Sequence, residues 1–156
     1  MERLPQAGFR GSEAGTSKWI PESFRAFGNG RIPELELHPI VSQKNHRAHP
    51  EAAKGFNAMY EAARKDGITL RLTDSYRPYD QQVAVKRRKP GLAATPGTSM
   101  HGWGVAFDIS VGGFDSKTYR WLAKNAARFG FVNPKWARRG GSKEEPWHWE
   151  FWRPNK

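Results

Sequence analysis

Ser99-Met-His101-Gly-Trp-Gly104-Val-Ala106-Phe-Asp108 is the stretch on which the reading of this chain turns. From Gly104 onward, Val105, Phe107, Ile109 and Val111 alternate with Gly104, Ala106, Asp108 and Ser110. That period predicts a strand with one face apolar and the other lined by small residues and one carboxylate. A carboxylate in mid-strand among Val, Phe and Ile is expensive unless something compensates it. A divalent cation would do so, and Gly104 and Ala106 leave room beside it. Gly102 and Gly104 let the chain bend so that His101 returns toward Asp108. Taken singly, the His could be an ordinary surface or core residue and the Asp a structural acceptor.

Glu145-Pro-Trp-His148-Trp-Glu150 supplies the rest of the pattern. Strand alternation over 147–152 places His148 and Glu150 on one face, and Trp147, Trp149 and Phe151 on the other. A neighbouring strand carrying Asp108 would bring His101, Asp108 and His148 together. Two imidazoles and a carboxylate, with an open position for water and a second carboxylate nearby, make up the ligand set of a catalytic zinc site. Glu145 precedes the strand across Pro146, so parity does not fix its direction. It is the candidate general base, with Glu144 as its rival. Arg77 follows a predicted strand end in Ser75-Tyr76-Arg77-Pro78. There a guanidinium serves an oxyanion or a substrate carboxylate, or is simply a surface Arg. His46 and His49 read as surface residues.

Outward from these segments, residues 50–66 read as a helix with Pro50 at its first position and Ala52, Phe56, Met59, Tyr60 and Ala63 on one face. Gly67 ends it. Ile68, Leu70 and Leu72 then alternate with polar residues as a half-buried strand. Residues 78–89 form a second helix. Ser116 caps a third over 117–129, with Tyr119, Leu122, Ala123 and Ala126 as its stripe. Residues 133–146 are a basic loop, and Leu35 and Leu37 mark a short ordered segment. This order predicts an α+β fold, a small central antiparallel sheet with helices packed on it. Residues 1–30 read as a tail packing along a domain of residues 31–156.

The 156 residues suffice for one domain with a core. No cysteine is present, which excludes disulfides, thiolate metal sites and a Cys nucleophile. No apolar run is long enough for a membrane span. The net charge of +11 predicts attraction to a polyanion, yet the basic residues are scattered and no nucleic-acid motif accompanies them. The first residues lack the apolar stretch of a signal peptide.

The motifs Ser75-Tyr76-Arg77-Pro-Tyr-Asp-Gln81-Gln82, Ser99-Met-His101-Gly-Trp-Gly104-Val-Ala106-Phe-Asp108 and Glu145-Pro-Trp-His148 resemble, in order, those of the VanY/VanX zinc D-Ala-D-Ala carboxypeptidase family (peptidase M15). That family includes phage endolysins that cut L-Ala-D-Glu bonds. The resemblance implies one Zn2+ on His101, Asp108 and His148, with Glu145 as base and Arg77 at the substrate or oxyanion. It places Ser99, Gln82 and Tyr76 around the substrate. The implied protein is a zinc metallopeptidase acting on peptidoglycan stem peptides at the cell wall. The chain reads as a monomer whose basic surface would hold it on anionic wall polymer, with no specific nucleic acid as partner. The alternative is a non-catalytic wall-binding module of the same fold. The missing export signal fits a phage protein released at lysis, or a shortened chain.

Overall fold

The computed structural model describes residues 18–152. A one-turn helix, α1 (Glu22–Arg25), leads into a hairpin of β1 (His38–Ile40) and β2 (Gln43–Ala48). Then follow α2 (Pro50–Lys65), β3 (Leu72–Asp74), α3 (Tyr79–Arg88), β4 (Ala106–Ile109), α4 (Lys117–Asn125), β5 (Phe131–Val132) and β6 (His148–Phe151). The main sheet is antiparallel in the order β3-β4-β6-β5. This is the expected α+β architecture.

The sheet has two unlike faces. Phe107 pairs with Trp149 across β4 and β6, and both are buried. On this side Phe56 of α2 stacks on Phe107, with ring centroids 5.3 Å apart, and Phe131 meets Phe107 edge-on. Truncating a ring such as Phe56 to Ala would cost about 3–5 kcal/mol. The opposite face carries Ala106 opposite Glu150 and Asp108 opposite His148. The polar cluster therefore sits on a sheet whose far side is nailed to the core.

Helix α2 starts where Pro50 suggests. His49 caps it, its Nδ1 accepting from the Glu51 amide at 3.1 Å. Its other end turns through Gly67 at φ +82°. His49 is thus buried between the helix start and the rings of Trp19 and Phe24, not a surface residue. Helix α4 is capped by Ser116, whose Oγ accepts from the Tyr119 amide, but it is α-helical only to Asn125 and tightens into a 3-10 turn over Ala126–Phe129. Trp121 is on its buried side while Ala123 is exposed, because the Trp121 indole reaches back to donate to Asp66 at 2.8 Å.

Ile68, Leu70 and Leu72 are buried in alternation, yet only the stretch from Leu72 pairs in the sheet. The outer edge of β3 is closed instead by the Gln43 side chain, which accepts from the Leu72 amide at 2.7 Å and donates to the Leu72 carbonyl at 3.1 Å. One amide side chain replaces a neighbouring strand and satisfies the edge. Leu35 lies in a 3-10 turn and is 96% exposed, so no strand forms there, while Leu37 is buried. Of the segment 1–30, residues 1–17 lie outside the described residues. Phe24 is buried with Ile32 and Leu37.

Candidate metal centre

Each donor of the cluster is placed by its own local structure. Asp108 sits mid-way along β4, directly opposite His148 on β6. His101 lies in a 3-10 turn, Met100–Trp103, capped by Ser99, whose Oγ accepts from the His101 amide at 3.1 Å. Gly104 leaves that turn at φ +74°, and a Cβ there would stand 2.9 Å from the His49 amide nitrogen. The turn can thus reverse His101 back onto β4 only with glycine at 104. A Cβ on Gly102 would collide with the Asn29 and Gln82 side chains.

His101 Nε2 is 3.2 Å and His148 Nδ1 is 3.3 Å from the same oxygen, Asp108 Oδ1. Tetrahedral ligands about 2.0–2.1 Å from a zinc ion stand about 3.3–3.4 Å from one another. The separations therefore fit a shared cation. Among the described residues these three form the one His/Asp/Glu cluster so arranged. The second ring nitrogens are already committed. His101 Nδ1 is 2.8 Å from the Ser75 carbonyl, and His148 Nε2 is 2.8 Å from Glu150 Oε2. Both acceptors require an N–H, which leaves Nε2 of His101 and Nδ1 of His148 as the nitrogens that face Asp108 and can ligate a cation.

The electrostatics agree. Burial would raise the Asp108 carboxyl, but His101 and then His148 hold it well below the usual carboxylate range. Burial opposes a charge on His148, yet Asp108 and Glu150 push it up to about 10. An ionised Asp108 beside a His148 that holds its proton is poised for a cation in that proton's place.

Glu145 is raised above the ordinary Glu value, first by burial and then by the Asp108 charge. Its Oε1 is 3.9 Å from His148 Nδ1. The strand pattern left its direction open, and the loop fixes it. The Glu145 amide donates to the Ala137 carbonyl, its carbonyl accepts from Asn133 and from the His148 amide, and Asn133 also holds the His148 carbonyl. Glu144 instead accepts from the Gly140 amide at 2.7 Å and is exposed.

Arg77 lines the same cleft, which encloses about 490 Å³. Its Nε and Nη2 both donate to Asp74 Oδ2, which leaves Nη1 outside that pair. Ser99 also lines the cleft. Gln82 and Tyr76 do not. Gln82 is buried behind it, donating to Asn29 Oδ1 and the Arg77 carbonyl and accepting from the Gly97 amide. Tyr76 turns the other way, its hydroxyl accepting from the Ile32 amide. Both sit next to Arg77 in the sequence motif, but they brace the turn that carries it. The sequence reading missed Asp74, the Ser75 carbonyl and the role of Glu150. Of these only Glu150 had a signal, its place on the His148 face.

The chain matches the VanY family, D-alanyl-D-alanine carboxypeptidase, over residues 45–154. It is 31% identical over 117 residues to a D-alanyl-D-alanine carboxypeptidase of Enterococcus faecalis (strain ATCC 700802 / V583), covering 60% of this chain and 44% of that protein. It spans half or less of the length of the curated relatives it matches. VanYB in complex with D-Alanine-D-Alanine superposes with a TM-score of 0.61 at 28% identity, covering 79% of this chain and 82% of that one. A mutant of the vancomycin resistance D,D-pentapeptidase VanY in complex with Zn(II) gives 0.60 at 27% identity, covering 77% and 82%. The fold is that of the zinc peptidases. Among these, the chain belongs to the VanY family of carboxypeptidases.

Proposed function

We infer that this protein is a zinc-dependent peptidoglycan peptidase that removes the terminal residue of D-Ala-D-Ala stem peptides. The observation that carries this reading is the convergence of His101 Nε2, Asp108 Oδ1 and His148 Nδ1, with the other ring nitrogens already bound. One Zn2+ held there would activate water by lowering its pKa to about 7 and would polarise a carbonyl. Glu145, desolvated and beside His148, takes the proton of the attacking water and delivers it to the leaving amine. Arg77, oriented by Asp74, turns its remaining N–H edge to the oxyanion or to the substrate carboxylate. The Ser99 side chain holds the His101 turn.

In this reading residues 31–156 are the peptidase domain, and the protein works as a monomer. The surplus of basic residues holds it on anionic wall polymer, where its substrate is.

The test is digestion of purified wall, with and without chelator, followed by mass spectrometry of the new termini. Chelator-sensitive loss of a C-terminal D-Ala supports the reading. New L-Ala carboxyl and D-Glu amino termini would reassign it to the endolysin type. Wall binding with no new terminus would leave a non-catalytic module.

A further inference from the structure

The mouth of the cleft carries charge that this mechanism does not use. Three carboxylates line the cleft, Asp108, Glu145 and Glu150, and all three lie against His148. Of its cations, Arg77 is neutralised by Asp74. Lys18, Lys89 and Lys143 also line it, and none of the three forms an ion pair with a carboxylate among the described residues.

The Lys89 backbone and the Lys143 ammonium are joined by a short chain of bonds. The Leu92 amide donates to the Lys89 carbonyl at 3.0 Å, and Lys143 Nζ donates to the Leu92 carbonyl at 2.6 Å. From behind, Lys86 Nζ grips the Pro90 and Ala93 carbonyls at 2.8 and 2.9 Å. The loop is thus ordered before any ligand arrives, and Lys143 retains two of its three N–H donors. Lys143, anchored in this way, and the exposed Lys89 beside it are ammonium groups without an ion-pair partner on the cleft wall, and such groups attract an anion.

We propose that Lys89 and Lys143 form a subsite for a second substrate carboxylate, carried by a residue on the amino side of the scissile bond. This rests on the peptidase reading above. In a substrate that loses only its last residue, the departing part has a single carboxylate, the terminal one. A second carboxylate can therefore lie only on the part that stays. The subsite makes the enzyme selective for stems whose acidic side chain is free over stems in which it is amidated.

Two acyl-X-D-Ala-D-Ala peptides test this, with X as Glu in one and Gln in the other. At low salt the Glu peptide should have a kcat/KM about tenfold higher, and the ratio should shrink as salt rises. In the Lys89→Met/Lys143→Met variant the ratio should fall to about one, while Lys54→Met, exposed on α2, should keep it. A parental ratio near one, or a ratio that survives in the double variant, would overturn the subsite. If neither peptide is cleaved, the peptidase reading has failed instead. Calorimetric binding of the same peptides then decides the subsite: tighter Glu-peptide binding, lost in the double variant, supports it, and equal affinities overturn it.

Discussion

Glu150 Oε2 lies 2.8 Å from His148 Nε2, on the side of the ring away from the Nδ1 that meets Asp108. The Ser75 carbonyl does the same for His101 from the opposite nitrogen. The two imidazoles thereby present opposite nitrogens, Nε2 of His101 and Nδ1 of His148, to one carboxylate oxygen. A buried carboxylate behind a ligand imidazole orients it and strengthens it as a donor.

Glu150→Ala should therefore weaken zinc binding by roughly 10–100-fold. Glu150→Gln should cost less, since the amide oxygen still accepts. Competition with a chromophoric chelator measures both, with circular dichroism to check the fold. Parental affinity in Glu150→Ala would mean that another group sets the His148 tautomer.

Glu145→Gln should keep zinc at full occupancy and reduce turnover by about 10²–10⁴-fold, because a base is removed and no ligand is. Glu144→Ala should stay near the parental rate, since its carboxylate serves the Gly140 amide on an exposed loop. Metal content measured beside kcat separates the two residues. Loss of activity only in Glu144→Ala would reverse the assignment.

The strand pairing of Asp108 with His148 was legible because period-2 alternation survives in both segments, and their small and aromatic residues assign the faces. The start of α2 was legible because Pro50 and the apolar spacing agree. What stayed hidden depends on contacts distant in sequence. Gln43 closing the edge of β3 is a side chain acting as a strand, and no local pattern reports it. The β1–β2 hairpin has a mixed burial pattern and a register shift, so no clean alternation announces it. Gln82 and Tyr76 share a motif with Arg77, but motif membership does not say which side of a turn a side chain takes. The direction of Glu145 is set by Asn133 and Ala137, and sequence parity across Pro146 carries no such information.

Arg77 and Asp74 should behave as a unit. Arg77→Lys keeps the charge but loses the planar fork that holds Asp74 and points the remaining edge into the cleft. If Arg77 meets the oxyanion, kcat should fall about 10²-fold or more. If it anchors the substrate carboxylate, the loss should fall mainly on KM. Asp74→Asn should give a milder loss of the same kind, and the double variant should lose less than the sum of the two in free energy. Additive losses would show that Asp74 does not act through Arg77. Zinc content should remain parental throughout.

Zinc uptake by the chelated protein should be coupled to proton release. Without a metal, His148 is pushed from its ordinary 6.5 up to about 10 by Asp108 and Glu150 against the opposing effect of burial, so it is protonated at neutral pH. Zinc needs the Nδ1 lone pair and must displace that proton, whereas Asp108, held far below the usual range, is already ionised. Apparent affinity should thus rise by about tenfold per pH unit from neutrality toward pH 10, with close to one proton released per zinc. Calorimetry in buffers of different ionisation enthalpy counts the proton. The same shift sets the stability of the chelated fold. Its folded value lies above the unfolded one, so the stabilisation is complete below pH 6.5 and is lost as pH rises through about 10. The chelated protein should therefore unfold at lower denaturant at pH 10 than at pH 7, and zinc should protect it most at the higher pH. Zinc uptake without proton release at pH 7 would show that His148 is neutral in the free protein, and that Glu150 positions the ring without holding it charged.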